Sequence, residues 1–277
     1  LALNVEDAQL HYASDWPDII GMNATINGLG NDLVIKSNHG LIAGFQFLDV
    51  TTTINRLMIS HPILVTNGTL KGTTQQALEF VKNSPLKERF SRAIQGVVAK
   101  GASDIKLNLL VPLSDVNSAQ ADGNVSFKNS SLNYQSLAGV TINNINGILN
   151  FNGNGVDTTN EIKAVLLNEK VAITVKPSKD KTVVTMNGNL ATQEINEMWP
   201  KLIPGYISGR TSYSATLNIK EKQLGDFYIE GDLSSNLQGL DILLPQPLGK
   251  EKQERLNIDA SVTVDDDKLN YYMCKRI

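Results

Sequence analysis

The residue types able to do chemistry are few in this chain, and their spacing suits none of the usual reactions. The three histidines are His11, His39 and His61. None has a Cys, His or carboxylate at the spacing that a zinc centre requires. His39 stands in Asn-His-Gly, where a residue tolerant of left-handed backbone fits a turn. Asp265-Asp266-Asp267 lacks the spaced oxygen ligands and closing Glu of a calcium loop, so a solvated turn is expected there. Gly28-Leu29-Gly30 leads into no helical pattern, and a phosphate-binding reading fails on that context. No Gly-x-Ser-x-Gly elbow occurs. Asn23, Asn67, Asn124 and Asn129 begin formal glycosylation sequons of the kind that Asn-rich turns produce by chance. The expectation is a protein that is not an enzyme and holds no metal or cofactor.

Composition narrows the classes further. A chain of 277 residues can bury a sizeable core. Lys+Arg 25 against Asp+Glu 28 gives a net charge of −3, with both signs scattered, so the basic stripe of a nucleic-acid binder is missing. Aromatics at 6% are too few for base-stacking or sugar-stacking platforms. Cys274 is the single cysteine, so no internal disulfide can form. No apolar run nears the ~20 residues of a spanning helix, and no signal peptide is visible. The chain opens Leu1-Ala2-Leu3-Asn4-Val5, already alternating and without an initiator Met. It is therefore expected to be a segment of a longer protein that continues at both ends, with any membrane anchor lying outside it.

What the sequence does carry is apolar alternation with a period of two, the mark of strands. Leu33 and Ile35, Phe45 and Phe47, and Leu107, Leu109 and Val111 recur in this way. So do Leu149 and Phe151, Val171, Ile173 and Val175, and Val184 and Met186. Leu217 and Ile219, Phe227 and Ile229, and Ile258 and Val262 complete the series. Turn chemistry separates the runs every ~8–15 residues, which predicts a serial antiparallel meander. Turns are expected at residues 27–32, at Asn38-His39-Gly40, at Asn67-Gly68 and at Lys176 to Lys181.

Helical interruptions are expected near 74–95 and 193–200. Thr74 to Lys82 carries Ala77, Leu78, Phe80 and Val81 on one stripe, with Thr73 or Thr74 as cap. Ser84-Pro85 opens a further helical turn with Leu86, Phe90 and Ile94 four apart. Gln193 to Trp199 is a short helix candidate. These helices are expected to cover a margin of the sheet. Leu237 to Lys250 reads as a strand through Leu240, Ile242 and Leu244 that Pro245 and Pro247 must end, releasing the chain into charged Glu251 to Arg255.

That last stretch, Leu-x-Gly-Leu-x-Ile-x-Leu-Pro-x-Pro-Leu-Gly-Lys, resembles a segment of the large AsmA-like envelope proteins of the YhdP type. Other landmarks fit in order: Trp16-Pro17, Asn83-Ser84-Pro85-Leu86, Leu107 to Leu113, Glu197-Met198-Trp199-Pro200 and Ile207 to Thr211. The resemblance implies a long, twisted antiparallel sheet curled into an open β-taco-like groove, with two or three short marginal helices. Residues 1–277 would be one stretch of that groove domain. It implies phospholipid as the partner, moved between the inner and outer membranes of a Gram-negative envelope. The setting would be the periplasm, within a protein anchored in the inner membrane and meeting other envelope proteins.

On the residues alone, two readings of the alternation stand side by side. The apolar faces either close on each other as a sealed core or line an open groove for acyl chains. A sealed core would make the chain a structural or adhesive β-sandwich module. A hydrolase or sugar-binding domain would need clustered carboxylates or exposed aromatics on one face.

Overall fold

The structure, a computed structural model, describes residues 2–11, 16–57, 61–84, 96–115, 118–135, 139–221, 227–265 and 268–275. The fold is mainly β. The first strands are β1 (Ala2–Leu10), β2 (Ile19–Leu29), β3 (Asp32–Ile42), β4 (Phe45–Asn55) and β5 (Ile63–Thr73). Helix α1 (Thr74–Lys82) follows, then β6 (Val97–Pro112), β7 (Gln120–Tyr134), β8 (Val140–Asn152) and β9 (Gly155–Asp157). Next come β10 (Ile162–Leu166), β11 (Glu169–Ser178), β12 (Lys181–Ala191) and helix α2 (Thr192–Met198). The chain ends with β13 (Ile207–Glu221), β14 (Phe227–Ser235), β15 (Leu240–Ile242), β16 (Ile258–Asp265) and β17 (Lys268–Lys275).

Pairing is almost entirely between chain neighbours and is antiparallel throughout the registers. Each of β1 to β5 pairs with the strand after it. β6, β7 and β8 are neighbours in turn. β8 holds the short β9 and pairs with β10. The ladder then runs β10, β11, β12, β13, β14, β16 and β17, with β15 set against β13. The result is one long open antiparallel sheet that does not close into a barrel.

Contacts divide the chain into two compact units. One comprises Leu1–Ile94, Ala99–Ser130 and Ile148–Thr159. The other comprises Gln95–Val98, Ser131–Gly147 and Asn160–Ile277.

In the first unit, Phe45, Phe47 and Leu70 form a buried cluster, with Ile19, Met22, Ile42, Val50, Ala77 and Ile105 packed around it. Ala77 brings α1 onto this cluster. A capping box starts the helix: Thr73 Oγ1 accepts the Gln76 N–H, and Gln76 Oε1 accepts the Thr73 N–H. Two glutamines then clamp it, Gln76 donating to the Gly44 carbonyl at 3.0 Å and Gln75 accepting the Ala99 N–H at 2.9 Å. Beneath the first turn lie three buried hydroxyls. Thr74 Oγ1 bonds Ser103 Oγ at 2.8 Å and Ser130 Oγ at 2.7 Å. Small side chains let the helix sit close to β6 and β7, and mutual bonding offsets their desolvation. Gly101 belongs to the same close approach. Its φ is 98°, and a Cβ there would lie 2.5 Å from the Ser130 Cα. Phe80 meets Trp16 in a tilted ring contact at 5.8 Å.

In the second unit, α2 is placed by Thr192, whose hydroxyl bonds both the N–H and the carbonyl of Gly209. Asn196 fastens the following turn through both the N–H and the carbonyl of Ile203. Each helix leaves the end of a strand directly and opens Thr-Gln-x-x-x-Glu: Thr74, Gln75, Glu79 and Thr192, Gln193, Glu197. In each the Gln bonds the Glu one turn on, at 3.1 and 3.0 Å. The chain therefore uses one strand–helix–strand device twice.

Three expectations need correction. Asn38-His39-Gly40 is not a turn but lies inside β3, and the reversal comes at Ala43-Gly44, both at positive φ. Asn67-Gly68 lies inside β5, where a Cβ on Gly68 would lie 3.3 Å from a Val50 methyl of β4. The strand near Leu240 stops at Ile242, before the prolines. Residues 85–95, which hold Leu86, Phe90 and Ile94, lie outside the described residues, as do Asp266 and Asp267.

Candidate functional site: the apolar rows of the sheet

Residues paired across antiparallel strands point to the same face, so the registers sort every side chain. In the first unit one face carries the row Gly28, Leu33, Ile54, Leu64, Val111. Beside it run Ile26, Ile35, Thr52, Thr66, Leu109, and then Ala24, Ser37, Val50, Gly68, Leu107. Phe47, Leu70 and Ile105 continue the same face. The opposite face carries Thr25, Lys36, Thr51, Asn67, Asn108, with Val34, Val65 and Leu110 as apolar exceptions in the next row. Asp122 of β7 takes a hydrogen bond from Asn108 on that polar side. Gly123 therefore faces the apolar side, where Phe151 of β8 lies against it. Leu149 shares the parity of Phe151.

The second unit is sorted more cleanly. One row reads Ile162, Ile173, Met186, Ala215, Leu233, Ala260. The next reads Val175, Val184, Leu217, Gly231, Val262. Ala164, Val171, Gly188 and Tyr213 form a third, and Thr182, Ile219 and Ile229 a fourth. Ile258 lies opposite Ser235 on this side. The reverse face reads Ala172, Asn187, Ser214, Ser234, Asp259, then Thr174, Thr185, Thr216, Asp232, Ser261. Phe227 is placed by its backbone pairing with Glu221.

In the second unit Val171, Ile173, Val175, Val184, Met186, Leu217, Ile219, Ile229, Ile258 and Val262 thus fall on one face, and in the first unit Leu33, Ile35, Phe45, Phe47, Leu107, Leu109 and Val111 share a face. Their exposure differs. Phe45 and Phe47 are 1% and 4% exposed, with α1 packed against their cluster, and Val171 and Val175 are 4% and 9% exposed. Leu33, Ile35, Leu107, Leu109, Val111, Ile173, Val184, Met186, Leu217, Ile219 and Ile229 are only half-buried. Ile162 and Ala164 on these rows escaped the sequence reading, because the five-residue β10 is too short to show a periodicity until its partner strand is known.

A few polar side chains stand among these rows. Glu169 is buried and holds Arg210 at 2.7 Å. Tyr213 lies over Gly188, and burial pushes its phenol above the ordinary tyrosine value. Two depressions of about 260 and 430 Å³ open in this unit, and both are lined mainly by polar side chains. Among the described residues no group of three His, Cys, Asp or Glu side chains could hold a metal ion. Among the same residues no helix is long and apolar enough to cross a membrane.

The model of the YhdP protein family matches residues 1–273. The chain belongs to the YhdP family. It is similar to the intermembrane phospholipid transporter YhdP of Escherichia coli (strain K12), at 21% identity over 272 residues. The match covers 97% of this chain and 21% of that protein, so the chain spans about a fifth of the length of the curated relative. No solved structure matches.

Proposed function

We propose that the apolar rows carry phospholipid acyl chains, as one stretch of a passive, non-enzymatic route between the inner and outer membranes. The chain works in the periplasm of a Gram-negative envelope, within a protein whose inner-membrane anchor lies outside these residues. Acyl chains lie against the rows while headgroups stay in water.

The need for such a surface is set by transfer energy. Each exposed CH₂ costs ~0.8 kcal/mol in water, so a two-chain lipid with ~30 of them faces on the order of 20 kcal/mol in crossing an aqueous gap. A continuous row of half-buried Val, Ile, Leu and Met side chains removes much of that cost without fixing the lipid at one point. The observation that carries the reading is the sorting of the second unit: successive apolar rows on one face and mainly Ser, Thr, Asn, Asp and Lys on the other, with Ala172 and Val183 among its few apolar members. In the first unit the packing of α1 on the Phe45 and Phe47 cluster leaves Leu33, Ile35, Leu107, Leu109 and Val111 as the side chains open to lipid.

The test is Ile173→Asp with Leu217→Asp, two half-buried positions in neighbouring rows. Mass spectrometry of an organic extract of the purified protein should show phospholipid with the parent chain and strong depletion with the double variant, at unchanged circular dichroism. Transfer of phospholipid between membranes should fall in parallel. Wild-type lipid content and transfer in a folded variant would overturn the proposal. A parent chain that carries no lipid would instead favour a structural or adhesive module.

A further inference from the structure

The three most exposed large apolar side chains among the described residues are Leu243 at 68%, Leu248 at 63% and Leu202 at 60%. All three fall in two adjoining loops of the second unit. The Leu243 N–H donates to the Tyr206 carbonyl at 2.8 Å and ties the loops together. Tyr206 is itself exposed. The first loop, between Met198 and Ile207, carries one charge, the exposed Lys201, and residues 242–249 of the second carry none. Residues 202–209 read Leu-Ile-Pro-Gly-Tyr-Ile-Ser-Gly, and residues 242–249 read Ile-Leu-Leu-Pro-Gln-Pro-Leu-Gly.

We propose that this pair of loops is a docking tip for the surface of a lipid bilayer, with Leu243, Leu248 and Leu202 entering the acyl boundary and Tyr206 at headgroup level. The inference does not rest on the lipid route proposed above.

Three observations carry it. The first is backbone satisfaction. A loop entering an apolar phase must leave no N–H unbonded. From Leu243 to Gly249, Pro245 and Pro247 have no N–H, Leu243 donates to Tyr206, Leu244 to Ile242, and both Leu248 and Gly249 to Pro245. Only the Gln246 N–H remains. The second is rigidity. Ile242 and Lys250 bond each other in both directions, and the buried Lys250 ammonium donates to the carbonyls of Leu240 and Glu251 at 2.8 and 2.9 Å. The leucines are held outward by the loop's own frame. The third is size. A stable protein interface takes about 800 Å² from each partner. Four projecting side chains supply on the order of a few hundred Å², which suits a bilayer, where no shape match is required.

The experiment is flotation of the purified protein with phosphatidylcholine vesicles, run at low and high salt. Binding should occur and largely persist at high salt, because Lys201 is the single charge beside four apolar contacts and screening removes only its share. Leu243→Asp with Leu248→Asp should weaken it at least about tenfold, with unchanged thermal unfolding. The Leu248→Trp variant should bind, and its indole fluorescence should shift to the blue on adding vesicles. Absence of vesicle binding, full binding by the aspartate variant, or an indole emission that does not move would each overturn the proposal. Loop-dependent self-association without vesicle binding would also overturn it, in favour of an interface between copies.

Discussion

Asp18 lies at the start of β2 and accepts hydrogen bonds from His11 at 2.8 Å and Gln9 at 2.9 Å, both from the end of β1. These bonds, His11 first, hold its carboxyl below the ordinary aspartate value. A lowered folded pKa means that the contribution to stability is present above the unfolded value and is lost as pH falls through the folded one. His11→Ala should therefore raise the Asp18 pKa in a carbon-detected NMR titration and reduce the loss of stability on acidification. An unchanged pKa would show that the contact does not form in solution. Some residues could be read from sequence and some could not. Leu217 and Ile219 announce their face because polar residues flank them. Leu33, Val34 and Ile35 are all apolar, and only the registers to Ile26 and Thr52 show that Ile35 faces the rows. Lys250 reads as the start of a charged loop, yet it is buried with both bonds to carbonyls, a tertiary outcome that local sequence does not encode.

Helix α1 is the element whose signals were most local, and it was the most legible. The structure returns the expected span Thr74–Lys82 with Thr73 as its cap. Removing that cap, Thr73→Ala, should cost about 1 kcal/mol. Chemical denaturation should show a lower midpoint with an unchanged slope. If stability is unaltered, the glutamine clamps and the hydroxyl trio alone hold the helix. The turns were less legible for a physical reason. Asn-Gly signals a reversal when flanking strands pair with each other, but Gly68 lies in mid-strand opposite Val50, with β5 paired along its length to β4 and β6. The hydroxyl trio was invisible because Thr74, Ser103 and Ser130 are far apart in sequence and individually ordinary.

At the scale of the whole chain, almost every strand bonds only to the strands beside it in sequence. Stability in such a ladder is close to a sum of neighbour terms, as in repeat proteins. Val171→Asp, which places a charge at a buried position of β11, should speed amide exchange in β10 to β13 and leave β2 to β5 protected. Exchange rising equally in both would show a single cooperative block. The meander was readable in advance, because short strands with turns between them predict neighbour pairing. The common face was not, because bulges change the parity. Register shifts interrupt β1 with β2, β2 with β3, β4 with β5 and β8 with β10. On β7, Lys128 meets Asp104 and Ser130 meets Ser103 through Thr74, so Asn129 at φ 49° is an extra residue that flips the alternation.

Neighbour-only bonding also makes reach a matter of counting. Each added hairpin advances the ladder by two strand spacings of about 4.8 Å and disturbs nothing already built. Adding a strand–helix–strand cassette such as those that carry the two Thr-Gln-x-x-x-Glu helices would lengthen such a ladder in even steps.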